Sequence, residues 1–280
     1  MSVELKSSDE IAIMREAGRR NAEVRRALLA AIAPGVTGRE LDELAKAEIA
    51  KRDAEPTFVG YGPGGRPPYP GAICYSVNAQ LVHGIPGERA LAEGDIVSID
   101  LGVTYGGYVS DAAFTVAVGE VAPEVQELLE RTEAALHAGI ERARAGNYLG
   151  DVSHAIGAVG QQARYGIVRD YGGHGVGRQM HEPPHIANFG RPGVGHRLKP
   201  GMVLALEPMF ALGSEETLEG ADHWTVSMRD GSLCAHFEET IAVTEGAPEV
   251  LTSLAQLDAP AGVADVPGGP GVGARVGESA

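Results

Sequence analysis

Three things are scarce in this chain of 280 residues: cysteine, positive charge and long apolar runs. Its two cysteines, Cys74 and Cys234, are too few for a disulfide framework and lack the spacing of a zinc site, so both are expected to be reduced. Lys and Arg number 23 against 38 Asp and Glu, a formal net charge of −15. That balance argues against broad, charge-driven nucleic-acid binding, and no direct DNA contact is expected. No uncharged apolar run is long enough to cross a bilayer, and the mixed-charge opening Met1-Ser-Val-Glu-Leu-Lys6 leads into no signal-like apolar core. A cytoplasmic protein without membrane contact is the expectation. The strand-G-x-x-x-x-G-K-[ST] pattern of a nucleotide loop is also missing. What is present is ordinary for a soluble globular protein: 44% hydrophobic and 22% charged residues, with length for one large domain or two small ones.

The most informative stretch is residues 96–118, where two apolar, β-branched runs flank Gly106-Gly107. Two glycines between such runs predict a hairpin. With Gly106-Gly107 as the two-residue loop, Tyr105 faces Tyr108 and Asp100 lies opposite Ala113. Asp111 shares Ala113's face, because side chains alternate with period two. The two carboxylates become diagonal neighbours on one side of the ribbon. Unpaired, such a pair raises each other's pKa at a cost of several kcal/mol, so a cation between them is expected, and a divalent metal is the obvious one.

Around the hairpin the chain falls into two related halves. Ser7 with Glu10 and Thr37 with Glu40 form capping-box patterns that open a long helix, stopped by Pro34-Gly35, and a shorter one. A second pair begins at Ala122-Pro123-Glu124 and at Asp151-Val-Ser-His154, closed by Gly146 and by Gly166. Strands follow each pair, which predicts an α+β fold of two pseudo-symmetric halves, helices packed outside sheets that meet across a common site. Residues 58–70 are too rich in Gly and Pro for regular structure, yet carry Phe58, Tyr61 and Tyr69, as a pocket wall would. Val82-His83-Gly-Ile-Pro86 reads as a tight turn presenting a histidine. From about Leu254 the composition shifts to Ala, Pro, Gly and Val, so residues 1–252 are read as one domain and 253–280 as a disordered tail.

Four apolar strand segments are each interrupted by an acid: Asp100, Asp111, Glu207, and Glu238 or Glu239. A lone strand acid is ordinarily solvent-facing. Four of them, together with His174 in the glycine cluster 172–177, make a set of hard oxygen donors and one imidazole, suited to Mn(II), Fe(II), Co(II) or Mg(II). Four carboxylates also balance the charge of two divalent ions, which can share a nucleophile and polarise a carbonyl or phosphoryl oxygen.

The motifs Val82-His83-Gly-Ile-Pro86, Ser98-Ile-Asp100-Leu-Gly102, Asp111-Ala-Ala-Phe114, Gly173-His174-Gly-Val-Gly-Arg-Gln-Met-His181-Glu182 and Leu206-Glu207-Pro-Met209, in that order, resemble the type I methionine aminopeptidases of the pita-bread fold. The likeness covers roughly residues 8–252. It implies a helix-flanked, curved antiparallel sheet and hydrolytic removal of N-terminal methionine from nascent chains whose second residue is small. It also implies two divalent ions, Co, Mn or Fe, held by Asp100, Asp111, His174, Glu207 and Glu238. Glu238 is preferred over Glu239 because the final motif places the ligand after an aromatic, here Phe237, with Thr240 two residues beyond. By the same resemblance Glu207 moves the proton, and His181 and His83 contact the substrate. Phe58, Tyr61, Tyr69, Cys74, Met180, Met209 and Trp224 would line the methionine pocket. The implied partner is a peptide or nascent-protein N-terminus, met by a monomer with room for a ribosome contact. Three departures stand out: a lengthened loop Gly62–Pro68, His236 where glutamine is usual, and Glu239 where histidine is frequent. A related X-Pro peptidase and a non-catalytic module on the same fold are the alternative readings.

Overall fold

The computed structural model describes residues 3–258; the greater part of the expected tail lies outside the described residues. In the first half, α1 (Ser8–Ala31) and α2 (Gly38–Ala50) precede β1 (Glu55–Pro56), β2 (Cys74–Val77), β3 (Gln80–Val82), β4 (Ile96–Tyr105) and β5 (Tyr108–Ala117). The second half opens with α3 (Pro123–Arg142) and α4 (Leu149–Ala163), followed by β6 (Gly166–Ile167), β7 (Gly172–Gly175), β8 (Glu182–Ala187), β9 (Val203–Leu206) and β10 (Met209–Ala211). It closes with β11 (Thr217–Glu219), β12 (Val226–Met228), β13 (Cys234–His236), β14 (Glu238–Ala242) and β15 (Glu249–Val250).

Local chemistry accounts for most of these limits. Both predicted capping boxes form: Ser7 Oγ accepts from Glu10 N while Ser7 N donates to Glu10 Oε2, and Thr37 and Glu40 repeat the exchange. Gly106 and Gly107 both have positive φ, +58° and +77°, as the central residues of a type I′ hairpin must. The hairpin has the expected register, with Tyr105 opposite Tyr108 and Asp100 opposite Ala113. Two starts and stops differ from expectation. Helix α4 begins at Leu149, two residues before Asp151, because Asp151 serves at the third helical position, accepting from Tyr148 N at 2.7 Å and from Gly193 N at 2.8 Å. Helix α3 ends at Arg142, and Gly146 instead occupies a turn whose N–H donates to Leu198 O at 3.0 Å.

The main sheet has nine strands in the order β1-β4-β5-β14-β9-β7-β8, with β2 on β4 and β15 on β14, and every pairing is antiparallel. Helix α1 packs on β4 and β5, and α3 on β5, β9, β10, β13 and β14. Their apolar faces meet the sheet in a core that includes Leu28, Leu41, Ile99, Leu101, Leu136 and Phe210, each such side chain worth roughly 1.5–3 kcal/mol when buried. Asn21 Nδ2 donates to Leu101 O at 2.9 Å and so fixes α1 to the centre of β4.

The strand that begins at Val203 ends before Glu207-Pro208, and the chain continues as a second strand in another sheet. Glu207-Pro208 breaks it, because proline offers no N–H to a ladder. Beyond the break β10 pairs with β13, Met209 opposite His236, while before it β9 pairs with β14, Leu206 opposite Glu239. The partner strand also breaks, at Phe237, whose N–H donates to Pro208 O at 3.3 Å. Two neighbouring strands therefore change sheets at the same level, and Glu207 and Glu238 stand at the crossing.

Candidate metal centre

Four segments deliver the ionisable residues to this crossing. Asp100 and Asp111 point from β4 and β5, 9% and 2% exposed. His174 lies on β7 between glycines that admit it: a Cβ on Gly173 would stand 2.4 Å from Ala205 O, and one on Gly175 2.3 Å from Pro183 O. Glu207 and Glu238 come from the two strand breaks. The His174 ring faces Gly175 O through Nδ1 at 2.9 Å, which makes Nδ1 the donor and leaves Nε2 its lone pair. That Nε2 is 3.7 Å from Asp111 Oδ2 and 3.6 Å from Glu207 Oε1. One ligand atom each from Asp111, His174 and Glu238 lies within 4.8 Å of the others.

These residues fit a divalent metal on their own chemistry. Asp100 Oδ1, Asp111 Oδ1 and Glu238 Oε1 are buried with no hydrogen-bond partner among the described residues. Burial, followed by the neighbouring acids, pushes the Asp111 and Glu238 carboxyls well above their ordinary values. Asp100 is pushed up to about 6, mainly by burial. Buried acceptors without donors are costly, and a cation is what removes the cost. Glu207 differs. Burial would raise it, but the His236 imidazole 3.5 Å away and the rings of His174 and His181 outweigh burial and hold it below the usual carboxylate range.

A linkage prediction follows. The raised carboxyls bind protons in the native state that the unfolded chain has already released, so the metal-free protein loses stability as pH rises from about 4 through 6 and beyond. Cations replace those protons. Chelation is therefore expected to lower Tm by several degrees at pH 8 and by much less at pH 5, read by thermal melts with and without chelator. An equal drop at both pH values would contradict it.

Beside the carboxylates lies a cavity of about 230 Å³. Its wall includes Phe58, Tyr61, Tyr69, Cys74, Met180, Met209 and Trp224, together with His83 and His181. The aromatic rings lock one another edge to face: Tyr69 meets Trp224 at 5.1 Å and 79°, and Phe58 meets Tyr69 at 6.3 Å and 88°. Tyr69 Oη donates to Gly84 O at 2.8 Å and holds the turn that presents His83. His83 itself has φ +58°, an uncommon conformation for a residue with a Cβ, and sits edge-on to Trp224 and Tyr171. Burial lowers both His83 and His181 to about 4, so each is a neutral imidazole at neutral pH. Burial raises the Tyr61 phenol, keeping it protonated; its Oη lies 2.7 Å from His181 Nδ1, and the tautomer in which the phenol donates there has the His181 proton on Nε2.

Several contributors are not evident from sequence patterns. Asp170, Tyr171 and His185 line the cavity, as does His236, which the sequence showed only as a departure from the family pattern. Tyr171, an aromatic abutting the Gly-Gly-His174 cluster, carried a usable signal; Asp170 and His185 carried none. Glu239, adjacent to Glu238 but on the opposite face of β14, binds Arg25 at 3.2 Å instead of the cluster. The lengthened loop is tied to a wall residue of the cavity and its neighbours: Trp224 Nε1 donates to Pro67 O at 3.0 Å, Arg66 Nη1 to His223 O at 2.7 Å, and Arg66 also pairs with Glu219. Because Arg66 and Glu219 are each more than a third exposed, Arg66→Ala is expected to cost at most about 1 kcal/mol and to raise KM by up to about fivefold with kcat little changed. Steady-state kinetics on a tripeptide would show it; a kcat drop larger than the KM change would contradict it.

An antiparallel sheet in two halves, flanked by helix pairs and carrying a buried acid and imidazole cluster at their junction, is the architecture of a metallopeptidase, and residues 12–245 match metallopeptidase family M24, to which the chain belongs. It is 47% identical over 249 residues to methionine aminopeptidase 1 of Bacillus subtilis (strain 168), covering 89% of this chain and 98% of that protein. The crystal structure of a methionine aminopeptidase from Thermotoga maritima superposes with a TM-score of 0.86 at 42% identity, covering 90% of this chain and 99% of that one. A prolidase from Pyrococcus horikoshii OT3, at 23% identity and TM-score 0.71 over 89% of this chain and 63% of that one, shares the pita-bread fold.

Proposed function

We propose that this chain is a methionine aminopeptidase: it hydrolyses the first peptide bond of peptides and nascent proteins that begin with methionine followed by a small residue. The observation that carries the reading is the pairing of a buried acid and imidazole cluster with an aromatic cavity beside it, in a chain 47% identical to a methionine aminopeptidase over nearly its whole length. The X-Pro alternative is not favoured, since the prolidase likeness extends to the fold alone.

In this reading residues 1–252 form the catalytic domain, and Asp100, Asp111, His174, Glu207 and Glu238 hold two divalent ions, with Co, Mn or Fe suited to the donor set. When bound, the ions supply Lewis acidity, acidifying a water and drawing electron density from the scissile carbonyl. The chain's own groups do the rest. Ionised at neutral pH, Glu207 takes a proton from the attacking water and passes it to the leaving amine. His181, protonated on Nε2, donates to the substrate carbonyl oxygen, and neutral His83 contacts the scissile nitrogen. The cavity excludes water from the methionine side chain, whose thioether suits the rings of Phe58, Tyr69 and Trp224. Its setting is the cytoplasm, as a monomer with access to ribosome-borne chains; no helix among the described residues is long and apolar enough to cross a membrane.

Incubating Met-Ala-Ser and Met-Lys-Ser with the Mn- or Co-loaded protein is expected to release methionine far faster from the first. Cleavage of neither peptide would sink the reading, and a preference for X-Pro over Met-Ala substrates would replace it with the prolidase-like alternative.

A further inference from the structure

The imidazole of His236 has no part in the ligand set above, yet it occupies the middle of the cluster. It is 2% exposed, and neither ring nitrogen has a hydrogen-bond partner among the described residues. Its backbone is held on both sides, N donating to Thr115 Oγ1 at 2.9 Å and O accepting from Thr115 Oγ1 at 2.7 Å. Phe237, next in the chain, turns into the hydrophobic core, so His236 and Glu238 project together towards the carboxylates.

The distances are those of a ligand. His236 Nε2 lies 3.5 Å from Glu207 Oε2 and 3.9 Å from Glu238 Oε2. His174 Nε2 lies 3.6 and 3.7 Å from its own two carboxylate neighbours. Two donors bound to one ion at about 2.1 Å stand roughly 3.0–3.4 Å apart, so both imidazoles are a few tenths of an ångström beyond a closed coordination sphere. Each oxygen of Glu207 is thus faced by one imidazole, Oε1 by His174 and Oε2 by His236. A buried imidazole nitrogen aimed at two carboxylates is satisfied either by donating its own proton to one of them or by a cation between them, and at 3.5 and 3.9 Å neither contact is a hydrogen bond.

We propose that His236 is a sixth ligand of the metal centre, through the Nε2 that faces Glu207 Oε2. The assignment rests on the dinuclear reading above. With His236 bound, the donor set is two imidazoles and four carboxylates, and its preference moves from Mn(II) towards Co(II), Fe(II) and Zn(II), because imidazole suits these better than oxygen-only sites do. Nδ1 is left as the protonated nitrogen that ligation through Nε2 requires.

The test is a Co(II) titration of the full chain, followed by calorimetry, visible absorption and proton NMR, for the wild type and His236→Gln. The wild type is expected to bind two ions and to show paramagnetically shifted imidazole N–H resonances from two histidines. In H236Q one such resonance remains, and one of the two affinities falls at least about tenfold, the lower end of what losing even an outer-sphere partner costs. One shifted resonance in the wild type overturns the assignment, as do unchanged affinities and spectrum in a folded H236Q. The resonance count needs no variant, so a poorly folding H236Q leaves the test intact. Absence of Co(II) binding by the wild type overturns the metal-centre reading and this assignment with it.

Discussion

Asp111→Asn is expected to lower kcat/KM by at least about 100-fold, more than the loss of an outer-sphere partner to a metal costs, while leaving the fold intact. Asp111 sits in the middle of β5, where its backbone N–H donates to Thr240 Oγ1 at 3.0 Å and its Oδ1 has no partner among the described residues. Asparagine has nearly the same volume and keeps that backbone bond, so packing against Gly102 on β4 is undisturbed. What changes is charge. An amide nitrogen replaces one of the oxygens proposed as ligands, and a negative charge is removed from the acidic cluster. In the metal-free protein the same substitution removes a carboxyl that burial, followed by repulsion from the neighbouring acids, pushes well above the ordinary carboxylate range. The chelated variant is therefore expected to melt at or above the chelated wild type, while its metal content and turnover collapse. Wild-type turnover in D111N with its metal content confirmed would refute the assignment of Asp111 as a ligand.

Glu239→Ala is expected to do the reverse, losing stability and keeping metal. Arg25 is 2% exposed on α1, and its guanidinium bonds Glu239 Oε1 and Oε2 at 3.2 Å as well as the Thr252 carbonyl. Glu239 also accepts from Thr252 Oγ1. The three groups tie the first helix, β14 and the segment after β15 together. Removing the carboxylate leaves a buried guanidinium without its counter-charge, a change that costs about 3–5 kcal/mol in other proteins and lowers Tm by roughly 6–20 °C for a chain of this size. Denaturant unfolding and Co(II) titration of the same sample separate the two effects: a large fall in midpoint with unchanged metal affinity is expected. A loss of metal affinity comparable to that of Glu238→Gln would show that the adjacent glutamates share one role.

The contrast between Glu238 and Glu239 marks how far the sequence could be read. Strand parity required that only one of them face the cluster, and the resemblance selected Glu238; that Glu239 had a partner of its own could not be read, because Arg25 is 214 positions away. The hairpin register, both capping boxes and the division into two helix-led halves were legible because each follows from interactions within a few residues: φ freedom at Gly106-Gly107, an N-terminal acid, a two-residue alternation. The start of α4 was missed by two residues because Asp151 is held in part by Gly193 N, a partner no local pattern announces. His236 was visible as a departure from the family pattern. Its position against Glu207 was not, since it depends on both strands changing sheets at the same level.

By itself the sequence determined which residues carry charge where strands should be apolar, which turns are tight and where most helices begin, since these rest on short-range sterics and hydrogen bonding. Tertiary structure alone decided which oxygens and nitrogens converge. Asp111, His174, Glu207 and His236 each lie within 4 Å of another of the four because the chain passes from one sheet to another between β9 and β10 and between β13 and β14. It also decided that the lengthened loop is tied down through Arg66 and Pro67, because those contacts are made to residues more than 150 positions away, and chain closure over that distance is settled by the packed core and not by the loop's own composition.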